Sequence, residues 1–322
     1  MILVCGEALV DLFVEAGRCE GTRGGLPALA VAGGSPFNLA IGLSRLGACA
    51  GFFGGLSSDT FGQMLRDRLT AEGVDVGFAK ASTHPTPLAI VAVGADGHPA
   101  YTFHAEHCAH ADVTRDDLPG MLPAAVSALA LGSFSLAMEP VGSTFVALVE
   151  REAGRRVISL DPNLRLDLID DLGGWRRRFA VLMRHADIVK LSDEDRIAAF
   201  GAESDEAALA ADWLAAGPAL VVFTAGAAGA TAYHAAGRIT VPGRPVRVVD
   251  TVGAGDTFHA ALLAGLSRDK RLTRDGLAAL DANALQGLLH EATAAASITC
   301  SRLGADLPTA ADLKAFLAEP VL

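Results

Sequence analysis

Short aliphatic and β-branched runs alternate along the chain with stretches whose apolar residues recur every three or four positions. Ile2–Cys5 reads as a buried strand. From Val126 the alternation becomes regular. It predicts strands over Ser127–Gly132, Arg156–Asp161 and Ala186–Leu191, and helices over Glu139–Ala153, Trp175–Arg184 and Asp205–Ala215. Strands that alternate with helices imply a parallel, doubly wound sheet. The longest uncharged run, Ala219 to Ala236, is broken by Gly226 and Gly229 and flanked by β-branched residues, so it is expected as strand, turn, strand and not as a membrane span.

Three other stretches depart from that rhythm. Pro87–Gly94 and Pro99–His104 are β-rich and separated by Asp96-Gly97, a hairpin signal. Gly21–Pro27 reads as a turn between edge strands. Gly33-Gly34-Ser35-Pro36 opens a helix, with Ser35 expected as N-cap and Pro36 at the first helical position, and Gly47 ends it. Val246–Val249 is expected as a strand feeding the glycine turn Gly253-Ala254-Gly255 and a long apolar helix. An alanine-rich helix runs from Ala282 to near Ser301.

Composition narrows the class. At 322 residues, 51% of them hydrophobic, the chain can bury a large α/β core. A formal charge of −11 argues against nucleic acid or an anionic membrane as partner. Five scattered cysteines without a C-x-x-C pair read as reduced thiols. The start, Met1–Glu7, has no basic segment of a signal peptide, so a cytoplasmic location is expected.

The candidate chemistry lies where strands end and helices begin, because ligands of open parallel sheets sit at that edge. Asp250-Thr-Val-Gly253-Ala254-Gly255-Asp256 joins a glycine turn to a helix N-terminus, whose unpaired N–H groups and dipole make an anion site. Asp256 at its mouth would repel a resting phosphate. It is either an ordinary cap or a base that takes the proton from a hydroxyl attacking a phosphoryl group. No Gly-Lys-Ser/Thr follows the turn, so it is not a Walker A loop, and Phe258 spoils a dinucleotide fingerprint. Asn38 falls in the first turn of its helix, within reach of a ligand. Further polar strand ends are Asp161–Arg165, Lys190–Asp195 and Thr224–Gly229. His104, His107 and His110 have metal-like spacing but no visible fourth ligand.

Asp250–Phe258 resembles the C-terminal signature of the ribokinase-like sugar kinases, the phosphofructokinase-B group, and Gly33–Gly47 with Gly54–Gly62 resembles their N-terminal signature. The similarity covers essentially the whole chain, and Asp161-Pro-Asn-Leu-Arg165 is similar to the fructokinase branch and its sugar-acid relatives. The resemblance implies a three-layer α/β sandwich, one domain over residues 1–322, with a mostly parallel sheet. A small β-sheet lid from Val10–Val31 and Pro87–His104 would exclude water. It implies Asp256 as catalytic base and the Gly253, Ala254 and Gly255 amides as anion hole. Asp11, Gly33, Gly34 and Asn38 would hold the sugar, with Phe103 and Arg165 beside it. Lys190, Ser192, Thr224, Gly226, Gly229 and Asn283 would border ATP. In relatives Asn-x-x-Glu supports magnesium and phosphate; this chain departs from that pattern with Ser192 and Asp195, of which Asp195 would be an indirect Mg²⁺ contact, and Asp250 would help hold a monovalent cation such as K⁺.

Relatives acting on keto-deoxy sugar acids carry an Arg near the end of the lid strand, where this chain has Ala105-Glu106. A neutral sugar is therefore expected, fructose first. Keto-deoxygluconate, ribose and nucleosides are the alternatives within the family, and a non-catalytic sugar or nucleotide sensor is the alternative outside it. The lid's exposed sheet edge could pair with a second copy to form a homodimer.

Overall fold

The computed structural model describes residues 1–14, 26–93 and 99–319. The Asp96-Gly97 turn and most of Gly21–Pro27 lie outside the described residues.

Eight strands form the main sheet, in the order Gly237–Val241, Ala230–His234, Leu220–Thr224, Ile188–Ser192, Val157–Asp161, Ala128–Gly132, Ile2–Cys5, Ala50–Phe53. The six from Leu220–Thr224 to Ala50–Phe53 are parallel, and the first two close the other edge as an antiparallel hairpin. The central strands are apolar throughout because both of their faces are covered. Val4, Ala130, Ile188 and Val222 pack on one side, under the helices Ser35–Arg45, Ala254–Arg268 and Ala282–Cys300. Cys5, Leu131, Val189 and Phe223 pack on the other, under Val141–Glu152, Leu172–Met183 and Glu206–Ala216. Helix, sheet, helix is the three-layer α/β sandwich that the resemblance implies, around the parallel sheet expected from the alternating pattern.

A second sheet has the order Ala28–Gly33, Leu9–Val14, Leu88–Val93, Pro99–His104. Its middle pair is parallel and its outer strands run antiparallel to their neighbours. It grows directly out of the main sheet, since only Gly6–Ala8 separate Ile2–Cys5 from Leu9–Val14. Among the described residues no helix is long and apolar enough to cross a membrane.

Two local expectations fail. Val246–Val249 is not a strand: among the described residues there is no ladder beyond the edge strand Gly237–Val241, and the Val249 and Asp250 amides bond to Cys300 O instead (2.8 and 3.3 Å). Val248 and Val249 remain exposed. Ser35 is not an N-cap. Gly34 occupies that position with φ 107°, and Ser35 is already helical. The reason is that its hydroxyl is engaged elsewhere, in the site described next.

Candidate active site

The helix Ala254–Arg268 begins after Gly253, whose φ of 79° is left-handed and suits glycine. A β-carbon there would also stand 2.8 Å from Ala305 Cβ, so the turn packs tightly on the 301–305 loop. The Ala254 amide bonds to Thr251 O (3.2 Å), while those of Gly253, Gly255 and Asp256 have no partner among the described residues. The open donors therefore exclude Ala254 and include Asp256, one residue beyond the glycine turn.

Asp256 projects from this first turn and is 6% exposed. Ser35 Oγ donates to its Oδ1 (2.6 Å), Asn38 Nδ2 to its Oδ2 (2.9 Å), and Asn163 Nδ2 approaches Oδ1 at 3.3 Å. Burial pushes the carboxyl above the usual carboxylate range, and the nearby Asp161 charge adds to this; the bonds from Ser35 and Asn38 oppose it. A carboxylate raised towards neutrality and fixed by neutral donors is suited to accept a proton.

Lys190 and Asp161 lie next to it on adjacent parallel strands. Lys190 Nζ donates to Asp161 Oδ2 (2.8 Å), and both side chains are almost completely buried. Burial alone would lower the ammonium, but Asp161 outweighs it and leaves the lysine raised, hence charged. A β-carbon on Gly255 would lie 3.2 Å from Lys190 Nζ, so the glycine opens the helix start to that positive charge. Asp161 Oδ1 is buried without a partner. His259, three residues beyond Asp256 and so on the same helix face, bonds to Ser159 Oγ (2.7 Å). Burial lowers its imidazole to about 4, which keeps it neutral. Asp195 caps the cluster: its Oδ1 accepts from the Leu164 amide (2.9 Å), and its own amide donates to Ser192 Oγ (3.0 Å). Burial raises Asp195, with Asp161 adding to it.

On the side of the small sheet, Asp11 lies over Gly33, where a β-carbon would stand 2.4 Å from Asp11 Oδ2. At Gly34 a β-carbon would press on Glu7 O at 3.0 Å. The paired glycines thus leave room for a carboxylate and a backbone turn. Burial lifts Asp11 to about 6, against the opposing charge of Arg165. Arg165 is itself anchored, its Nη1 donating to Asn163 Oδ1 (2.7 Å) and Leu164 O (2.9 Å). Glu7, fully buried, accepts a short hydrogen bond from Ser135 and is pushed upward by burial. Phe103 packs against Phe134 with ring centroids 6.5 Å apart, beside Leu9 and Ala89.

Thr224 pairs with Ser192 across neighbouring strands, and Gly226 and Gly229 shape the following turn at the same sheet edge. At Gly229, φ is 99° and a β-carbon would collide with Val241 O. Asp250 bonds to the Val252 and Gly304 amides (3.1 and 2.9 Å) and so ties the loop before the helix to the loop after Cys300. Asn283 is not in this cluster. It is exposed at the start of Ala282–Cys300, whose opposite end meets the anion turn through Thr299 and Thr257 (2.8 Å). Sixteen helical residues, about 24 Å, separate the two.

Sequence reasoning picked out the strand end Asp161–Arg165 but gave a role only to Arg165, took Ser35 for a cap, and missed His259. The i, i+3 spacing of Asp256 and His259 was the available signal for the last. Among the described residues no group of three or more His, Cys, Asp or Glu side chains is arranged to hold a metal.

Comparisons with known proteins bear on the family and the fold. Residues 3–311 match the pfkB family carbohydrate kinase. The fructokinase of Rhizobium leguminosarum bv. trifolii is 44% identical over 286 residues, covering 89% of this chain and 86% of that protein. The fructokinase of Xylella fastidiosa with bound ATP superposes with a TM-score of 0.86 at 24% identity, over 98% of this chain and 97% of the other, and so shares the ribokinase-like fold. A double mutant of the Vibrio cholerae O395 fructokinase, bound to fructose, ADP and potassium, has a TM-score of 0.81 at 28% identity over 98% and 97%. This chain belongs to the pfkB family of carbohydrate kinases.

Proposed function

We propose that this ATP-dependent sugar kinase takes fructose as its acceptor, with Asp256 as the base. The observation that carries the base is the carboxylate held by Ser35 and Asn38 at the open amides of Gly255 and Asp256. What supports fructose is the 44% identity to a fructokinase, together with Ala105-Glu106 in place of an arginine that would suit a sugar acid.

In the proposed reaction the acceptor oxygen forms a bond to the γ-phosphorus while the bond to the β,γ-bridging oxygen breaks, and ADP leaves. Asp256 takes the hydroxyl proton and later returns it to solvent. The Gly253–Gly255 turn and Lys190 stabilise charge on the transferring group, so positioning and electrostatics carry most of the acceleration. Asp11, in the space left by Gly33 and Gly34, accepts sugar hydroxyls. Asn38 orients the base, and Arg165 and Phe103 border the sugar. Thr224, Gly226 and Gly229, next to Ser192, border the nucleotide; the exposed, distant Asn283 has no part in this scheme. The small sheet acts as a lid that keeps water from competing as acceptor.

The donor set fits a nucleotide with its metal. Gly255 leaves a cradle beside Lys190, and Asp161 Oδ1 is a buried acceptor without a partner. Mg²⁺ would neutralise phosphate charge and be held mainly by the nucleotide, with Asp195 in support through water. For K⁺, Asp250 has both oxygens engaged by amides. It would shape the loops beside the ion. The outer strand Ala28–Gly33 exposes Leu29 and Val31, and pairing of this edge with a second copy is the oligomer we favour, in a cytoplasmic enzyme. A monomer mass by light scattering at working concentration would exclude it.

The deciding experiment is ADP release with MgATP across fructose, ribose, glucose, keto-deoxygluconate and adenosine, with Asp256→Asn in parallel. Turnover on fructose that the substitution abolishes is the expected result. Turnover on a different sugar alone would remove fructose, and full activity in the variant would remove Asp256 as base.

A further inference from the structure

On the other side of the main sheet from Ala254–Arg268, the helices Val141–Glu152 and Leu172–Met183 and the turn Arg115–Asp117 enclose a cleft of about 270 Å³. It is lined by Arg115, Ser143, Val146, Arg177, Arg178 and Val181. Three guanidinium groups meet here on a chain whose formal charge is −11.

The three arginines are held differently. Arg178 is built into the fold: Nη1 donates to Leu136 O (2.7 Å), and its other arm pairs with Glu139. Gly142 makes room for it, since a β-carbon there would stand 2.6 Å from Nη1. Among the described residues Arg177 reaches only the exposed Asp171, at 3.2 Å, a surface pair of little strength. Arg115 is exposed and has no partner among the described residues. Of the acids nearby, Asp171 pairs with Arg177, Asp116 follows Arg115 in the chain, and Glu139 is engaged by the Ser143 hydroxyl (2.8 Å) and by Arg178. Arg115, without a partner among the described residues, and the weakly paired Arg177 are thus left open to a ligand, and their planar forks match phosphate oxygens. Val146 and Val181 supply an apolar wall beside them.

We propose that this cleft is a second binding site, for a small phosphorylated metabolite whose phosphate lies on Arg115 and Arg177 and whose carbon skeleton lies on Val146 and Val181. The volume is close to the lower end of small-molecule pockets, about 300 Å³, which suits a sugar phosphate better than a dinucleotide. The site is independent of the phosphoryl-transfer centre and does not rest on the choice of fructose. A run of contacts leads from it towards that centre. Arg178 holds Leu136, and the same turn, Phe134–Leu136, carries the Ser135 that bonds to Glu7 beneath the sugar side.

The test is equilibrium dialysis of labelled inorganic phosphate against the full chain and against the Arg115→Ala/Arg177→Ala double variant. Both side chains are exposed, so the variant is expected to keep its melting temperature and its kcat. The wild type should bind one phosphate per chain more than the variant, with the affinity of that phosphate reduced about ten-fold or more by the substitutions. Binding at the phosphoryl-transfer centre is common to both proteins and cancels in the difference. Coincident isotherms would overturn the proposal, whatever the kinase assay shows.

Discussion

Asn38 Nδ2 lies 2.9 Å from Asp256 Oδ2, a hydrogen bond that spans 218 residues of sequence and joins the first turns of two helices packed side by side. The amide expected to face a sugar hydroxyl instead orients the carboxylate that would deprotonate one. Asn38→Ala should therefore act on kcat more than on the sugar KM. Loss of a hydrogen bond to a charged group costs about 1.5–3 kcal/mol, or roughly 10–100-fold in rate. Because this bond lowers the Asp256 pKa, its removal should also move the acid limb of the pH–rate profile to higher pH. Steady-state kinetics from pH 5 to 9 check both. A pure KM effect would return Asn38 to the sugar.

Asp256→Asn should abolish turnover and yet stabilise the fold. The native pKa of Asp256 is raised, so between its unfolded value and that raised value the native state holds more protons. Stability from this group is fully present below the unfolded pKa and is lost as pH rises through the native one. The variant, free of that loss, should melt higher than the wild type at pH 8, with the gap closing at pH 4. Paired thermal melts measure it.

Burial lifts the Asp11 carboxyl to about 6. Below that pH the carboxyl is protonated and loses acceptor capacity for sugar hydroxyls, so the sugar KM should rise as pH falls through 6 while the KM for ATP moves little. Arg165 holds Asp11 down, and Arg165→Gln should shift the inflection upward. An unshifted inflection in the variant would separate the two residues.

Lys190→Met leaves Asp161 as a buried, unpaired carboxylate and should destabilise the protein by about 3–5 kcal/mol. Adding Asp161→Asn should recover most of that stability without recovering activity, because the charge beside Gly255 is still missing. Denaturant unfolding of the single and double variants resolves the two effects.

Gly33→Ala places a methyl group 2.4 Å from Asp11 Oδ2 and must displace the carboxylate. The expected outcome is a sugar KM raised by about ten-fold or more with kcat less affected, read from fructose saturation curves.

The sheet was legible because each central strand is an apolar run bounded by turns, and both of its neighbours are helices with a 3.6-residue period. The glycine turn before Asp256 was equally plain, since a left-handed residue and a helix start leave a local mark. Side-chain partnerships left none. Ser35 followed by proline has the pattern of a cap, and only the packing of two distant helices turns its hydroxyl towards Asp256. Val246–Val249 has a strand's composition but no neighbouring ladder, which depends on where the sheet stops. Asn283 lies at a helix start, as expected of the adenine contact, but at the end of that helix remote from the anion turn.

The layer that covers one whole face of the main sheet comes largely from Ala254–Arg268 and Ala282–Cys300, whereas the last strand of that sheet ends at Val241. A nascent chain can therefore lay down all eight strands and still present an uncovered hydrophobic face, with Ser35 and Asn38 aimed at a carboxylate not yet synthesised. Such a chain is most at risk of aggregation just before completion. Closure of the core and assembly of the base are then one event, so a partly made enzyme has no reduced activity to offer.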